Sequence, residues 1–276
     1  MSKPLSLSDR QRVYYEDITR IYLPRRSHVI LRADGVSFSK FTKSLDKPFS
    51  NEFIDDMNQS AIALCEKAQN VKFAFVQSDE ISLVMSDYDT LTTSAWFDND
   101  LRKLCSVSAG IVTAKFAQQM ARRNSSKEFP FFDCRAWTIP SQDEVLNYFL
   151  SRQSDCTRNS LSSVAQVLYT HRELEGKGFN DLNEMVYQKR EELRHIMIAN
   201  ATMPLGLHEK EDFNWNDVPA GMKRGRLIYR ETYMTTADNL YPDVLRSRWV
   251  VTEAPIFSTP EARSFMLSFF NQNLEE

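Results

Sequence analysis

Apolar runs of period two alternate with stretches of helical period in the order strand, helix, strand, strand, helix, strand, which predicts an α+β fold. That order is the ferredoxin-like βαββαβ unit, with both helices on one face of an antiparallel sheet. Further helices and strands follow toward the C-terminus. The spacing places a catalytic unit over residues 1–140 and a helical and strand extension, packed on it, over 141–276.

His28-Val29-Ile30-Leu31-Arg32 is a β-branched apolar run that stops at Asp34-Gly35, so it reads as a buried strand ending in an acid. Ser50 is a fitting N-cap for a helix in which Phe53, Met57, Ala61 and Leu64 recur at helical steps as far as about Gln69. Lys72–Val76 and Ile81–Met85 flank the polar turn Ser78-Asp79-Glu80, a hairpin with two carboxylates at its tip. A stretch without proline from Ser94 to Arg122 supplies the second helix, and Phe131–Ile139, between two prolines, the fourth strand. Beyond it the sequence predicts helices over Ser141–Leu174 and Asp181–Arg194. Strands follow at Arg226–Tyr233 and Arg248–Val251, and a long ordered loop covers His195–Ala220.

The composition excludes several classes of function. With 34 Lys and Arg against 37 Asp and Glu, the formal charge of -3 exerts no global pull on a polyanion, so RNA must be held by local patches. The seven glycines are nowhere clustered as a P-loop or a Gly-x-Gly-x-x-Gly turn requires, and the four histidines form no i, i+4 pair. Cys65, Cys105, Cys134 and Cys156 are too widely spaced for a zinc clip, and reduced thiols in a cytoplasmic protein are expected. No run approaches the ~20 apolar residues of a membrane span, and the N-terminus lacks a signal-peptide core.

In a βαββαβ unit the end of the first strand lies beside the hairpin joining the second and third, so Asp34 converges with Asp79 and Glu80 across 45 residues of sequence. Three carboxylates on one edge repel one another unless hard cations neutralise them. A Mg²⁺ held by one or two carboxylates keeps positions open for substrate phosphates. Gly35, without a Cβ, lets the backbone approach, and Val36, Ser37, Phe38 and Ser39 offer N–H groups to phosphate oxygens. Either turn alone is more simply a structural turn. Together they indicate two-metal nucleotidyl transfer.

Longer motifs then carry a resemblance. Leu31-Arg32-Ala33-Asp34-Gly35-Val36-Ser37-Phe38, Gln77-Ser78-Asp79-Glu80-Ile81-Ser82, Phe132-Asp133-Cys134-Arg135, Arg152–Asn159 and Lys223-Arg224-Gly225 occur in the order found in the tRNA(His) guanylyltransferase family, over roughly residues 10 to 230. The resemblance implies a polymerase-like palm that works backwards, adding nucleotides to the 5′ end of tRNA after activating it with ATP or GTP. It further implies two Mg²⁺ held by Asp34, Asp79 and the Gly35 carbonyl, with Glu80 an essential acid beside them. Lys47, Ser78, Lys103 and Arg135 would join Val36–Ser39 in binding nucleotide, and Arg152, Asp155, Asn159, Lys223 and Arg224 would contact RNA. A homotetramer is expected. Thr157-Arg158-Asn159-Ser160 resembles the bacterial and archaeal Thg1-like members, which points to templated repair of 5′-truncated tRNA rather than untemplated guanylate addition to tRNA(His). A nucleotidyl cyclase and a non-catalytic RNA-binding module are the rival readings.

Overall fold

The computed structural model describes residues 5–123, 128, 130–235 and 244–271. Its strands are β1 (His28–Val36), β2 (Val71–Gln77), β3 (Glu80–Ser86), β4 (Phe131–Ile139), β5 (Arg226–Thr235) and β6 (Val244–Glu253). The helices are α1 (Leu7–Gln11), α2 (Phe38–Thr42), α3 (Asn51–Lys67), α4 (Leu101–Arg122), α5 (Gln142–Leu168), α6 (His171–Leu174), α7 (Phe179–Gln188), α8 (Arg190–Ala199), α9 (Ala220–Lys223) and α10 (Pro260–Ser268). All six strands form one antiparallel sheet in the order β4-β1-β3-β2-β5-β6. The first four are the expected βαββαβ unit, and the last two continue the same sheet past β2.

Alternation along the strands gives each face its own core. Leu31, Ala33, Ala74, Val76, Ile81 and Leu83 point toward α3 and α4, where they meet Met57, Leu64, Leu104, Val112 and Phe116. Ile30, Phe73, Phe75 and Val84 point the other way, onto Val145, Leu146 and Phe149 of α5 and Met266 and Phe269 beside α10. A third cluster joins the C-terminal half of α5 to α7, α8, Phe213 and Trp215. Thus α5 serves two cores, its first half lying against the sheet and its second carrying the helical extension.

The local differences from expectation have physical causes. Ser50 does cap α3, its hydroxyl accepting from the Phe53 amide at 3.4 Å. The second helix begins only at Leu101, because Phe97, Asp98 and Asn99 take left-handed backbone and Asp100 caps a fresh start. The helix after β4 ends at Leu168, where Thr170 and Glu173 form a capping box that starts a separate turn. In the expected 195–220 loop, α8 runs on to Ala199 and two short 3₁₀ turns punctuate the rest. α10 was not expected, although Thr259 capping the Ala262 amide and Pro260 in the first turn are helix-start signals.

Candidate active site

The chemistry gathers where β1 ends and the β2–β3 hairpin turns. Register sets Asp133, Asp34, Glu80 and Gln77 side by side on neighbouring strands, in one row on the α5 face. Next to it runs a second row, Arg135, Arg32, Ser82 and Phe75. Asp34, Ser78, Asp79 and Glu80 then line one end of a cleft of about 450 Å³. The 42–54 segment forms another wall, and Arg152, Cys156, Asn159, Ser160 and Ser163 on α5 a third.

Electrostatics confirms that the acids share this space. Burial first, and then the Glu80 charge, push the Asp34 carboxyl above its ordinary range. Asp79 is raised mainly by burial, with hydrogen bonds from its own backbone and from Ser78 opposing, and the charges of Asp34 and Glu80 adding. Two carboxylates held this way accept a hard divalent cation readily, because the cation relieves both burial and repulsion. Among the described residues no group of three or more His, Cys, Asp or Glu side chains is placed to hold a metal. A cation held by Asp34 and Asp79 would draw its remaining ligands from water, phosphate or backbone oxygen, a mixture that Mg²⁺ accepts.

Glu80 stands apart from that pair, because its carboxylate is already occupied. Arg152 grips it with both ends of the guanidinium, Nε to Oε1 at 2.9 Å and Nη2 to Oε2 at 2.5 Å, while Gln77 and Ser82 each donate to Oε1 at 3.1 Å. Ser82 in turn meets the Tyr148 hydroxyl at 2.8 Å. Glu80, expected as an essential acid beside the metal ligands, is a buried strut that fixes α5 to the hairpin.

Gly35 is needed for a reason other than the one its type suggested. A Cβ there would overlap the ring of Phe38, which is buried among Phe41, Phe53, Phe116 and Phe132. Val36, Ser37 and Ser39 are exposed at the β1–α2 junction, outside the cleft lining, with Ser37 in left-handed backbone. Ser78, also left-handed, and Lys47, at the rim, do line the cleft, and burial lowers the Lys47 ammonium.

Other expected contacts fall elsewhere. Lys103 is exposed on α4, its ammonium 5.8 Å from the centre of the Phe97 ring, and it does not line the cleft. Arg135 lies exposed on β4 opposite Arg32, its nearest carboxylate Asp133 at 3.9 Å. Arg152 and Asp155, expected to touch RNA, pair with each other at 2.5 Å, and Arg158 also bonds Asp155. Lys223 is buried and donates to the carbonyls of Trp215 and Asn216, so it pins a loop rather than meeting solvent. Arg224 is half-buried, with its Nε unpaired among the described residues. Asn159 is exposed on the cleft wall.

Two functional candidates escaped sequence reasoning. Arg32 packs on Trp137 and neighbours Asp34 electrostatically, and Asp133 completes the acidic row. The signal was parity, since both share the strand face that Asp34 occupies.

A family model described as tRNA(His) guanylyltransferase matches residues 10–140. A bacterial Thg1-like protein solved in complex with ATP is 36% identical, with a TM-score of 0.77, covering 96% of this chain and 98% of its own. The chain belongs to the tRNA(His) guanylyltransferase family. Its Thg1-like neighbour solved with GTP is 34% identical, with a TM-score of 0.72, covering 97% of this chain and 100% of its own. A probable tRNA(His) guanylyltransferase of Dictyostelium discoideum is 24% identical over 83% of this chain and 86% of its own length. The polymerase-like palm expected from the motifs is thus the fold of this Thg1-like chain.

Proposed function

We propose that this nucleotidyltransferase extends the 5′ end of tRNA in the 3′-to-5′ direction, using ATP or GTP for activation and nucleoside triphosphates for addition. The observation that carries the reading is the meeting of Asp34 and Asp79, both raised by burial and by the charge of Glu80, in a cleft lined also by Ser78 and Lys47. Bacterial Thg1-like relatives solved with ATP and with GTP support the choice of nucleotide.

Asp34, Asp79 and the Gly35 carbonyl would hold Mg²⁺. When bound, the metal neutralises charge on the phosphates and acidifies an attacking hydroxyl. The chain itself positions the reactants, which is most of what phosphoryl transfer needs. The rigid β2–β3 hairpin fixes Asp79, the β1–β3 ladder fixes Asp34, and the Arg152–Glu80 strut holds α5 at a set distance across the cleft. In the first step a 5′-phosphate oxygen of tRNA attacks the α-phosphorus of ATP and pyrophosphate leaves. In the second the 3′-hydroxyl of an incoming nucleotide attacks the activated 5′-phosphorus and AMP leaves.

The Thr157-Arg158-Asn159-Ser160 sequence on α5 favours templated repair of 5′-truncated tRNA over untemplated guanylate addition. A homotetramer working on tRNA in the cytoplasm completes the proposal. Among the described residues no helix is long and apolar enough to cross a membrane. Incubating 5′-truncated, monophosphorylated tRNA with ATP, Mg²⁺ and labelled nucleotides tests it. Extension that follows the opposing template base, and that Asp79→Ala abolishes, is expected. Guanylate incorporation regardless of template would overturn the repair assignment, and a cyclic product from triphosphate alone would replace the reading with a cyclase.

A further inference from the structure

The lining of the cleft includes a positive charge with no ion pair among the described residues. Three cations line it: Lys47, Arg152 and Arg226. Arg152 is neutralised by Glu80 and Asp155. Arg226 is not neutralised by any described carboxylate, although only 7% of it is exposed. Its Nε donates to the Asn58 side-chain oxygen at 2.9 Å and its Nη1 to the Gly221 carbonyl at 3.1 Å, both uncharged acceptors. Its Nη2 is buried and has no partner among the described residues.

Such a group is costly. A buried cation whose donors are incompletely matched destabilises the free protein, and folded chains keep one mainly where a ligand completes it. Its close neighbours do not do so from within: Glu253, opposite Arg226 in the β5–β6 register, accepts from the Gly221 amide at 3.1 Å and makes no ion pair with the guanidinium. The Cys156 thiol is pushed up to about 11 by burial and stays neutral, and Gly221 offers only backbone beside the Arg226 stem. The guanidinium is also held firmly. Arg226 stands opposite Val76 on β2, next to the hairpin that carries Asp79, and Gly225 before it takes a left-handed conformation where any Cβ would strike the Phe75 ring. Hydroxyls and an amide of Asn159, Ser160 and Ser163 also line the cleft.

We infer that Arg226 is a phosphate-binding residue of this cleft, its guanidinium taking an oxygen of a substrate phosphate. The inference rests on the nucleotidyl-transfer reading and deepens it. A buried, charged, two-pronged donor suits a phosphate better than a neutral carbonyl, because only an anion also removes the uncompensated charge. Two phosphates share this chemistry, the polyphosphate of the nucleotide and the 5′-terminal monophosphate of tRNA.

The test uses the full chain and two variants, Arg226→Gln and Arg226→Lys. Calorimetry gives Kd for MgATP and MgGTP, and filter binding gives Kd for tRNA bearing either a 5′-monophosphate or a 5′-hydroxyl. Arg226→Gln is expected to weaken one ligand by about 10- to 100-fold, the worth of a charge-assisted hydrogen bond, with Arg226→Lys weakening it less. A loss confined to the nucleotides assigns their polyphosphate, and a loss confined to 5′-monophosphorylated tRNA assigns the RNA end. Unchanged affinities in folded variants overturn the inference. A measurement on the unsubstituted chain covers the case of variants that fail to fold: tripolyphosphate in EDTA is expected to raise Tm, and the absence of any rise would equally overturn it. The same measurement on Asp79→Asn keeps the two readings apart. Tripolyphosphate should still bind there while transfer is lost, whereas transfer surviving Asp79→Asn would sink the proposed function and leave the phosphate site standing.

Discussion

Gly35 carries a steric demand that its sequence context concealed. Because a Cβ would overlap the Phe38 ring, Gly35→Ala is expected to cost about 1–3 kcal/mol as overpacking and to misplace the neighbouring Asp34. Urea denaturation and a transfer assay would register both, and Phe38→Leu in the same chain should return part of each. Glu80 and Arg152 make a second case. Removing one partner of a buried, doubly bonded pair leaves the other uncompensated, so Glu80→Gln and Arg152→Met should each cost about 3–5 kcal/mol. A double-mutant cycle should show the costs to be strongly non-additive. Equal and additive losses would mean that the strut is not a strut. Asp34, Asp79 and Glu80 were legible as a convergent set because residue type and topology together fix where they stand. The partner of Glu80 was not, since nothing in a sequence states that an arginine 72 residues away will turn inward. The same blindness covers Lys223, whose exposure depends on a loop closing over it.

At the scale of elements, α5 decides the width of the cleft. One of its side chains, Gln153, clamps the chain between β6 and α10, donating to the Pro255 carbonyl at 2.7 Å and accepting from the Phe257 amide at 2.8 Å. Gln153→Leu strands both backbone groups in a buried place and should cost about 2–4 kcal/mol by calorimetry. Periodicity disclosed α3, β1, β2, β3 and β4 because each buries a regular face. It extended the second helix too far toward its start, since apolar residues such as Trp96 stay buried even in the left-handed turn before α4. α10 was overlooked because its nine residues hold too few turns for a strong period, although its cap was there to be read.

For the whole molecule, charge and protonation act together through the cleft. Asp34 and Asp79 both titrate above the ordinary carboxylate range, so the folded chain holds more protons there than the unfolded one does. Their contribution to stability is therefore fullest at low pH and is lost as pH rises through the folded values. Under the proposed function Mg²⁺ would compete with those protons. The rise in Tm on adding Mg²⁺ should accordingly grow as pH climbs above the ordinary carboxylate range, and Asp79→Asn should flatten the trend. With a net charge of only -3, tRNA affinity depends on local cations, and it should fall steeply as salt rises.

The sheet has a consequence for anyone wishing to borrow the catalytic unit. Its β2 edge is sealed by a strand from the far end of the polypeptide, and the acid beside Asp34 and Asp79 is steadied by a helix that begins only after residue 141. A fragment cut at residue 140 would keep Asp34, Asp79 and Glu80 and still expose a bare hydrogen-bonding rim and an orphaned carboxylate. What looks like an appendix is the other half of the hinge pin, and grafts or minimal enzymes must bring both ends of the chain along.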